Sequence, residues 1–309
     1  MRSAKPKIIA VVGPTASGKT TLGIALAKKF GGEIVSADSR QIYRGMDIGT
    51  AKPTTKERRA VPHHLIDIKD PDEDYTVADY KRDAIATIDG IVARGKIPFL
   101  VGGTGLYIKA MLENLDIPKT VADPKLRAQI EADIARDGLD ASFKKLVALD
   151  PEAEYVVDPK NPRRVVRALE VAIATGEPFT AQRTKSEPLF DTLTLGLDPP
   201  PEVLRERIDR RVDMMLRDGF VGEVKAIIEK YGPSAPALSA IGYQEIVNHL
   251  NGIISLAEAA AAIKINTWHY AKRQMTWFRK TAAVHWVSNE GEALLLMEKF
   301  FDNKTGAKQ

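Results

Sequence analysis

Three hundred and nine residues make about two average domains, or one large domain with an insertion. A hydrophobic fraction of 44% and a charged fraction of 28% are globular values, which excludes a disordered or collagen-like chain. The 0 cysteines exclude disulfide scaffolds, thiolate-held zinc, iron–sulfur clusters and thiol nucleophiles, and a net charge of +4 is too mild by itself to name a partner.

The start, MRSAKPKIIAVVG, is a short apolar run without a small-residue cleavage site. It reads as a core strand over Lys7–Val12, not as a signal peptide. A helix is expected over Gly18–Phe30, a second strand over Glu33–Asp38 and a third over His64–Ile68. Tyr75–Arg94 has helical spacing, and Ile97–Val101 is another short buried strand. Strands alternating with helices predict a parallel sheet covered on both faces. After Asp116 the rhythm changes. Asp123-Pro124 and Asn161-Pro162 are helix starts, and Gly138 and Gly176 are helix stops. Thr192–Leu197 alternates like a strand returning to the sheet. Helices follow over Glu202–Arg217, Val221–Lys230, Ile241–Leu250 and Leu256–Lys280, and Asp302–Gln309 is expected to fray. The class is therefore α/β: a P-loop NTPase-like parallel sheet flanked by helices, formed by 1–115 and 189–309, with an all-helical insertion over 116–188. No apolar run reaches the roughly 18 residues of a membrane helix, and a cytoplasmic protein is expected.

Gly13-Pro14-Thr15-Ala16-Ser17-Gly18-Lys19-Thr20 matches GxxxxGK[ST] in the strand–loop–helix context that gives the pattern its meaning. Glycines let backbone N–H groups turn inward, and the helix N-terminus adds a positive field. Lys19 supplies a mobile cation, and the Thr20 hydroxyl suits Mg²⁺. The loop alone does not separate ATP, GTP and other diphosphate esters. In ATPases a strand-end Asp holds the metal, but the strand over Ile97–Val101 runs into Gly102-Gly103-Thr104-Gly105. The acid that ends a neighbouring strand is Asp38. It could bind metal, act as a general base or cap its own turn.

Charge is uneven. From Lys264 to Lys280 there are five basic residues and no acid, and Arg163, Arg164 and Arg167 share a helix face opposite Val165, Val166, Leu169 and Ile173. Such patches suit a polyanion or a solvated face. Trp268, Trp277 and Trp286 read as core residues.

Several segments together resemble the tRNA dimethylallyltransferases, also called tRNA isopentenyltransferases. They are GPTASGKT at 13–20, ADSRQIYRGMDIGTAKP at 37–53, HHLID at 63–67, VGGTGLYIKA at 101–110 and NPRRVVRALEV at 161–171. RIDRRVDMML at 207–216, AIGYQE at 240–245 and YAKRQMTWFRK at 270–280 complete the set. The resemblance implies transfer of a dimethylallyl group from dimethylallyl diphosphate to the exocyclic amine of the adenosine 3′ of the anticodon, with Mg²⁺. It implies that the loop holds a diphosphate leaving group and not ATP. Asp38 matches the base and Lys19 with residues 13–20 the diphosphate cradle. Arg211 matches an arginine reaching the diphosphate, and Thr104 a contact to the target nucleotide. Ser39, Arg40, Gln41, Arg127, Pro162, Arg163, Arg164, Val165 and Val166 match segments that touch the tRNA. Lys272 and Arg273 are added to them as basic residues, and the insertion is expected to meet the anticodon stem-loop. A monomer is expected. Three rivals remain on the residues: an adenylate isopentenyltransferase, a small-molecule kinase, and a nucleotide-gated RNA-binding switch.

Overall fold

The computed structural model describes residues 5–117, 123–182, 186–281 and 283–302. Six strands are present among them: β1 (Lys7–Val12), β2 (Glu33–Ser36), β3 (His63–His64), β4 (Pro98–Gly102), β5 (Asp191–Gly196) and β6 (Val284–Trp286). All pair in parallel, in the order β3-β2-β4-β1-β5-β6. β1 is central, and Ile8 through Val12 are 0% exposed. A strand covered on both faces has no polar side, which explains its unbroken apolar run. Its side chains alternate between two cores. Ile8, Ala10 and Val12 join Tyr80, Ile88 and Phe278, while Ile9 and Val11 join Leu22, Leu26 and Met297. The helices Val77–Ala93 and Leu256–Arg279 thus cover one face, and Lys19–Lys29 and Glu290–Asp302 the other.

The chain divides into two compact units, 1–112 with 188–309, and 113–187. The first contains the sheet. Beside it, Ile42, Tyr43 and Met46 are packed among Phe220, Tyr243 and Ile246, so the segment after Asp38 is anchored in a core of its own. The second unit carries helices at Pro124–Asp137, Leu139–Leu149, Ala153–Val156 and Pro162–Thr175. Ile130, Leu146, Val165 and Leu169 form its core. The caps are those the sequence suggests. Asp123 accepts from the N–H groups of Lys125 and Leu126, Asn161 accepts from that of Arg164, and Gly176 closes its helix at φ 70°.

Four expectations need correction. The third strand is two residues long and not His64–Ile68, because Leu65 and Asp67 take left-handed φ values of 60° and 57° and bend the chain away. Asp67 is held there by Lys52 at 2.5 Å and Arg58 at 2.7 Å. β6 and the helix Glu290–Asp302 are additional elements. Ile173 is 39% exposed, outside the apolar side of its helix. Of the tryptophans, Trp268 and Trp277 are half-buried and pack against core clusters, while Trp286 is 40% exposed and is not core. Of the expected tail, residues 303–309 lie outside the described residues.

Candidate active site

The loop between β1 and the Lys19–Lys29 helix turns on two glycines, Gly13 at φ 152° and Gly18 at φ 95°. A Cβ on Gly13 would meet the Leu197 carbonyl and the Ser17 hydroxyl, each at 2.9 Å. Gly18 caps the helix without a side-chain acceptor, so the first helical N–H groups stay open for an anion. Lys19 Nζ donates to the Pro14 carbonyl at 3.1 Å. Burial pushes the Lys19 ammonium down to about 8, against the pull of Asp38, while Arg211 lowers it further. Arg211 donates to Thr15 Oγ1 at 3.4 Å, and Arg207 to the Ser17 carbonyl at 3.2 Å. Two arginines of the Pro201–Arg217 helix therefore lean on the loop. Burial lowers Arg211 from its usual range, but a guanidinium keeps its charge.

Asp38 reaches this loop because β4 ends without side chains. β4 lies between β1 and β2, so its own terminus would normally stand between Lys19 and Asp38. A Cβ at Gly102 would overlap the backbone of Ala37, and one at Gly103 would approach Lys19 Cε at 3.4 Å. The two glycines leave an opening through which groups from the flanking strands face each other. A cavity of about 190 Å³ fills it, lined by Thr15, Lys19, Thr20, Asp38 and Arg211 among others. Asp38 Oδ1 accepts from the N–H groups of Arg40 at 2.8 Å and Gln41 at 3.4 Å. One oxygen thus caps the turn, and among the described residues no hydrogen bond falls on the other. Thr104 Oγ1 accepts from the Ser39 N–H at 2.9 Å and fixes the turn from β4 to the turn carrying Asp38. The Gln41 amide donates to the carbonyls of Thr50 at 3.4 Å and Ala51 at 3.5 Å, so it secures the cavity wall. Arg40 is half-buried beside it.

Sequence reasoning missed the supports. Gln274 accepts from the Thr15 N–H at 2.8 Å and donates to the Gly103 carbonyl at 2.7 Å. Tyr270, one helical turn earlier, lies in hydrogen-bonding reach of Thr104, and burial with the charge of Asp38 pushes its hydroxyl up to about 12. The motif YAKRQMTWFRK contained both, but basic residues drew attention to Lys272 and Arg273, which are exposed on the same helix. Glu223 takes the N–H groups of Asp47, Ile48 and Gly49 at 2.8, 2.7 and 3.0 Å, and buried Lys52 binds Asp47 and Asp67 at 2.5 Å each. Pairs at such separations leave no periodic trace in a sequence.

Comparison with known proteins bears on this geometry. A family model described as IPP transferase matches residues 41–281. The chain belongs to the IPP transferase family. The curated tRNA dimethylallyltransferase of Thermomicrobium roseum is 48% identical, over 93% of this chain and 87% of that one. The one from Halalkalibacterium halodurans is 45% identical over 91% of each chain. The crystal structure of the full-length tRNA isopentenylpyrophosphate transferase from Bacillus halodurans is 42% identical, with a TM-score of 0.71 and 97% of each chain covered. A eukaryotic dimethylallyltransferase acting on tRNA is 28% identical, with a TM-score of 0.84 over 98% of this chain and 81% of that one. The IPP transferase match begins just after Asp38, so the phosphate loop stands outside it, while these longer relatives span nearly the whole chain.

In the helical unit of this IPP transferase chain, Pro162, Arg163 and Arg164 are exposed. Among the described residues, Arg163 and Arg164 have no carboxylate within salt-bridge distance. Arg127 bonds Glu131 at 3.0 Å and lies 3.6 Å from Glu170, which Arg167 also meets at 3.6 Å. Val165 and Val166 are 0% and 3% exposed, so these expected RNA contacts are corrected to core residues. Their apolar side chains seal the unit and offer no surface to a ligand.

Proposed function

We propose that this chain transfers the dimethylallyl group of dimethylallyl diphosphate to N6 of the adenosine immediately 3′ of a tRNA anticodon, releasing diphosphate. The observation that carries the site assignment is the Lys19–Asp38 pair facing across the glycine end of β4. A phosphoryl-transfer site would place a metal-holding acid at that strand end. Here the space is left for a carbon centre between a leaving group and a base.

In this reading the N6–C1 bond forms as the C1–O bond breaks. The bonding pair leaves on the diphosphate oxygen, and the N6 proton goes to the free oxygen of Asp38. The adenine amine is a weak nucleophile, and the allylic carbon carries positive charge well. The larger task is therefore to stabilise departing anionic charge. Lys19, Arg211 and the N–H groups of residues 13–20 serve it, with Thr15 and Ser17 shaping the cradle. Thr104 fixes the turn beside which the nucleotide sits, and the base must leave its stack to enter. The donor set fits a divalent ion such as Mg²⁺, which takes few protein oxygens beside phosphate oxygens and water, and the Thr20 hydroxyl is the oxygen that would hold it. Such an ion would neutralise diphosphate charge.

Ser39, Arg40 and Gln41 flank the base and are read as positioning the target nucleotide. Arg127, Pro162, Arg163, Arg164, Lys272 and Arg273 are read as meeting tRNA phosphates, and the 113–187 unit as the part that grips the anticodon stem-loop. The chain is read as a monomer. No described helix is long and apolar enough to cross a membrane, and a tRNA substrate supports a cytoplasmic setting.

The test is incubation with tRNA, dimethylallyl diphosphate and Mg²⁺ without ATP, followed by mass spectrometry of the RNA. An added C₅ group at that adenosine is expected. Asp38→Asn keeps an oxygen for the turn but removes the base, and transfer is expected to fall by about 10²–10⁴-fold. Dependence on ATP, or transfer to free adenylate alone, would overturn the reading.

A further inference from the structure

Gln274 sits on the Leu256–Arg279 helix and is 6% exposed. Both ends of its amide are used. Its oxygen takes the N–H of Thr15 on the phosphate loop, and its nitrogen gives a proton to the carbonyl of Gly103 after β4. The amide orientation is fixed, since a backbone N–H only donates and a carbonyl only accepts. The bonds continue on the acceptor side. The residue after Gly103 is Thr104, which holds the N–H of Ser39, and Ser39 follows Asp38. One helix residue therefore ties the cradle of the leaving group to the turn beside the base. The site needs such a tie, because the glycine end of β4 has no side chains to brace the two halves.

We propose that Gln274 is a positioning residue that holds the diphosphate loop and the Gly103–Thr104 turn at one fixed separation, so that the allylic carbon meets the amine in line. This rests on the transferase reading above. Gln274 touches neither the leaving diphosphate nor the amine in this scheme. Its effect reaches the reaction through Thr15 and Thr104. Transfer between two bound reactants depends steeply on their alignment, and a misplacement of about 1 Å costs on the order of 10²-fold in rate. Tyr270, four residues earlier on the same face and in reach of Thr104, makes this helix the common support of both sides.

Two variants test the proposal. Gln274→Met keeps length and burial and removes both bonds. Gln274→Glu keeps the acceptor for Thr15 and loses the donor to Gly103, except when its carboxyl is protonated. Single-turnover transfer at saturating dimethylallyl diphosphate and tRNA is measured per folded molecule, with tRNA affinity and a thermal melt alongside. Gln274→Met is expected to lose at least about tenfold in the transfer rate with tRNA affinity unchanged. For Gln274→Glu, the rate relative to the unaltered protein is expected to rise as pH falls, because the protonated carboxyl again donates to Gly103. Transfer rates of both variants equal to that of the unaltered protein at every pH, whatever their melting temperatures, overturn the proposal. A Gln274→Met chain that fails to fold leaves the decision to the pH ratio of Gln274→Glu, where a flat ratio overturns it. Failure of the unaltered protein to transfer would strike the function itself and not this inference.

Discussion

Lys19 is held between opposing influences. Burial and Arg211 disfavour its charge and Asp38 favours it, which leaves the ammonium titrating at about 8. An arriving diphosphate adds negative charge and raises that value again. The sign follows. Below pH 8 the site is already cationic and binding takes up no proton. Above pH 8 the free site is increasingly neutral, so binding must draw a proton in, and affinity falls by up to about tenfold per pH unit. Calorimetry of dimethylallyl diphosphate binding in two buffers of different ionisation enthalpy, at pH 6.5 and 8.5, is expected to show proton uptake only at the higher pH. A dissociation constant flat from pH 6.5 to 9 would refute a depressed Lys19.

At the scale of the element, the Pro162–Thr175 helix separates its arginines by partner. Arg167 shares Glu170 with Arg127, whereas Arg163 and Arg164 at the exposed first turn have no carboxylate within salt-bridge distance among the described residues. Cations at a helix N-terminus also work against its dipole, so a bound anion would relieve them. Arg163→Ala and Arg164→Ala are each expected to lower the slope of log K against log salt for tRNA by roughly 0.7–1. Arg167→Ala is expected to lower the melting temperature and leave the slope alone, because it removes one of the two guanidinium groups facing the buried Glu170 carboxylate. Tritration of binding at four salt concentrations beside a melt checks all three, and identical slopes throughout would refute phosphate contact here. This helix also marks what a sequence can carry. Asn161, Pro162 and Gly176 announce its ends by local chemistry, and its buried valines follow from period. What is lost is the partner chosen across long separations, as with Glu170. The same holds at the active site. The phosphate loop and Asp38 were legible from motif and strand ends. Gln274 and Glu223 act on residues far from them in sequence, Lys52 pairs at irregular spacings that follow no helical or strand period, and β3 and β6 are too short to show a pattern.

For the whole molecule, the two units have separate apolar cores. Trp268, Trp277 and Trp286 all lie in the sheet-containing unit, and 113–187 has no tryptophan. Tryptophan fluorescence therefore follows the unit that holds the phosphate loop. A diphosphate ligand at 100 times its dissociation constant adds about 2.7 kcal/mol to that unit, which corresponds to roughly 5–10 °C. The tryptophan-detected melt is expected to rise by that amount, while the part of the helical circular-dichroism signal due to 113–187 melts where it did before. A single transition moved equally by both probes would refute independent units. The glycine end of β4 has a consequence on this scale too. Converting the fold to phosphoryl transfer would call for a carboxylate at position 102 to carry a metal, yet any side chain there overlaps the backbone of Ala37. The neighbouring strand would have to move before such a residue could be accommodated, and moving it displaces Asp38. No single substitution at that position can therefore install a metal-holding carboxylate: the close approach that keeps the strand end bare also keeps phosphoryl transfer out of mutational reach.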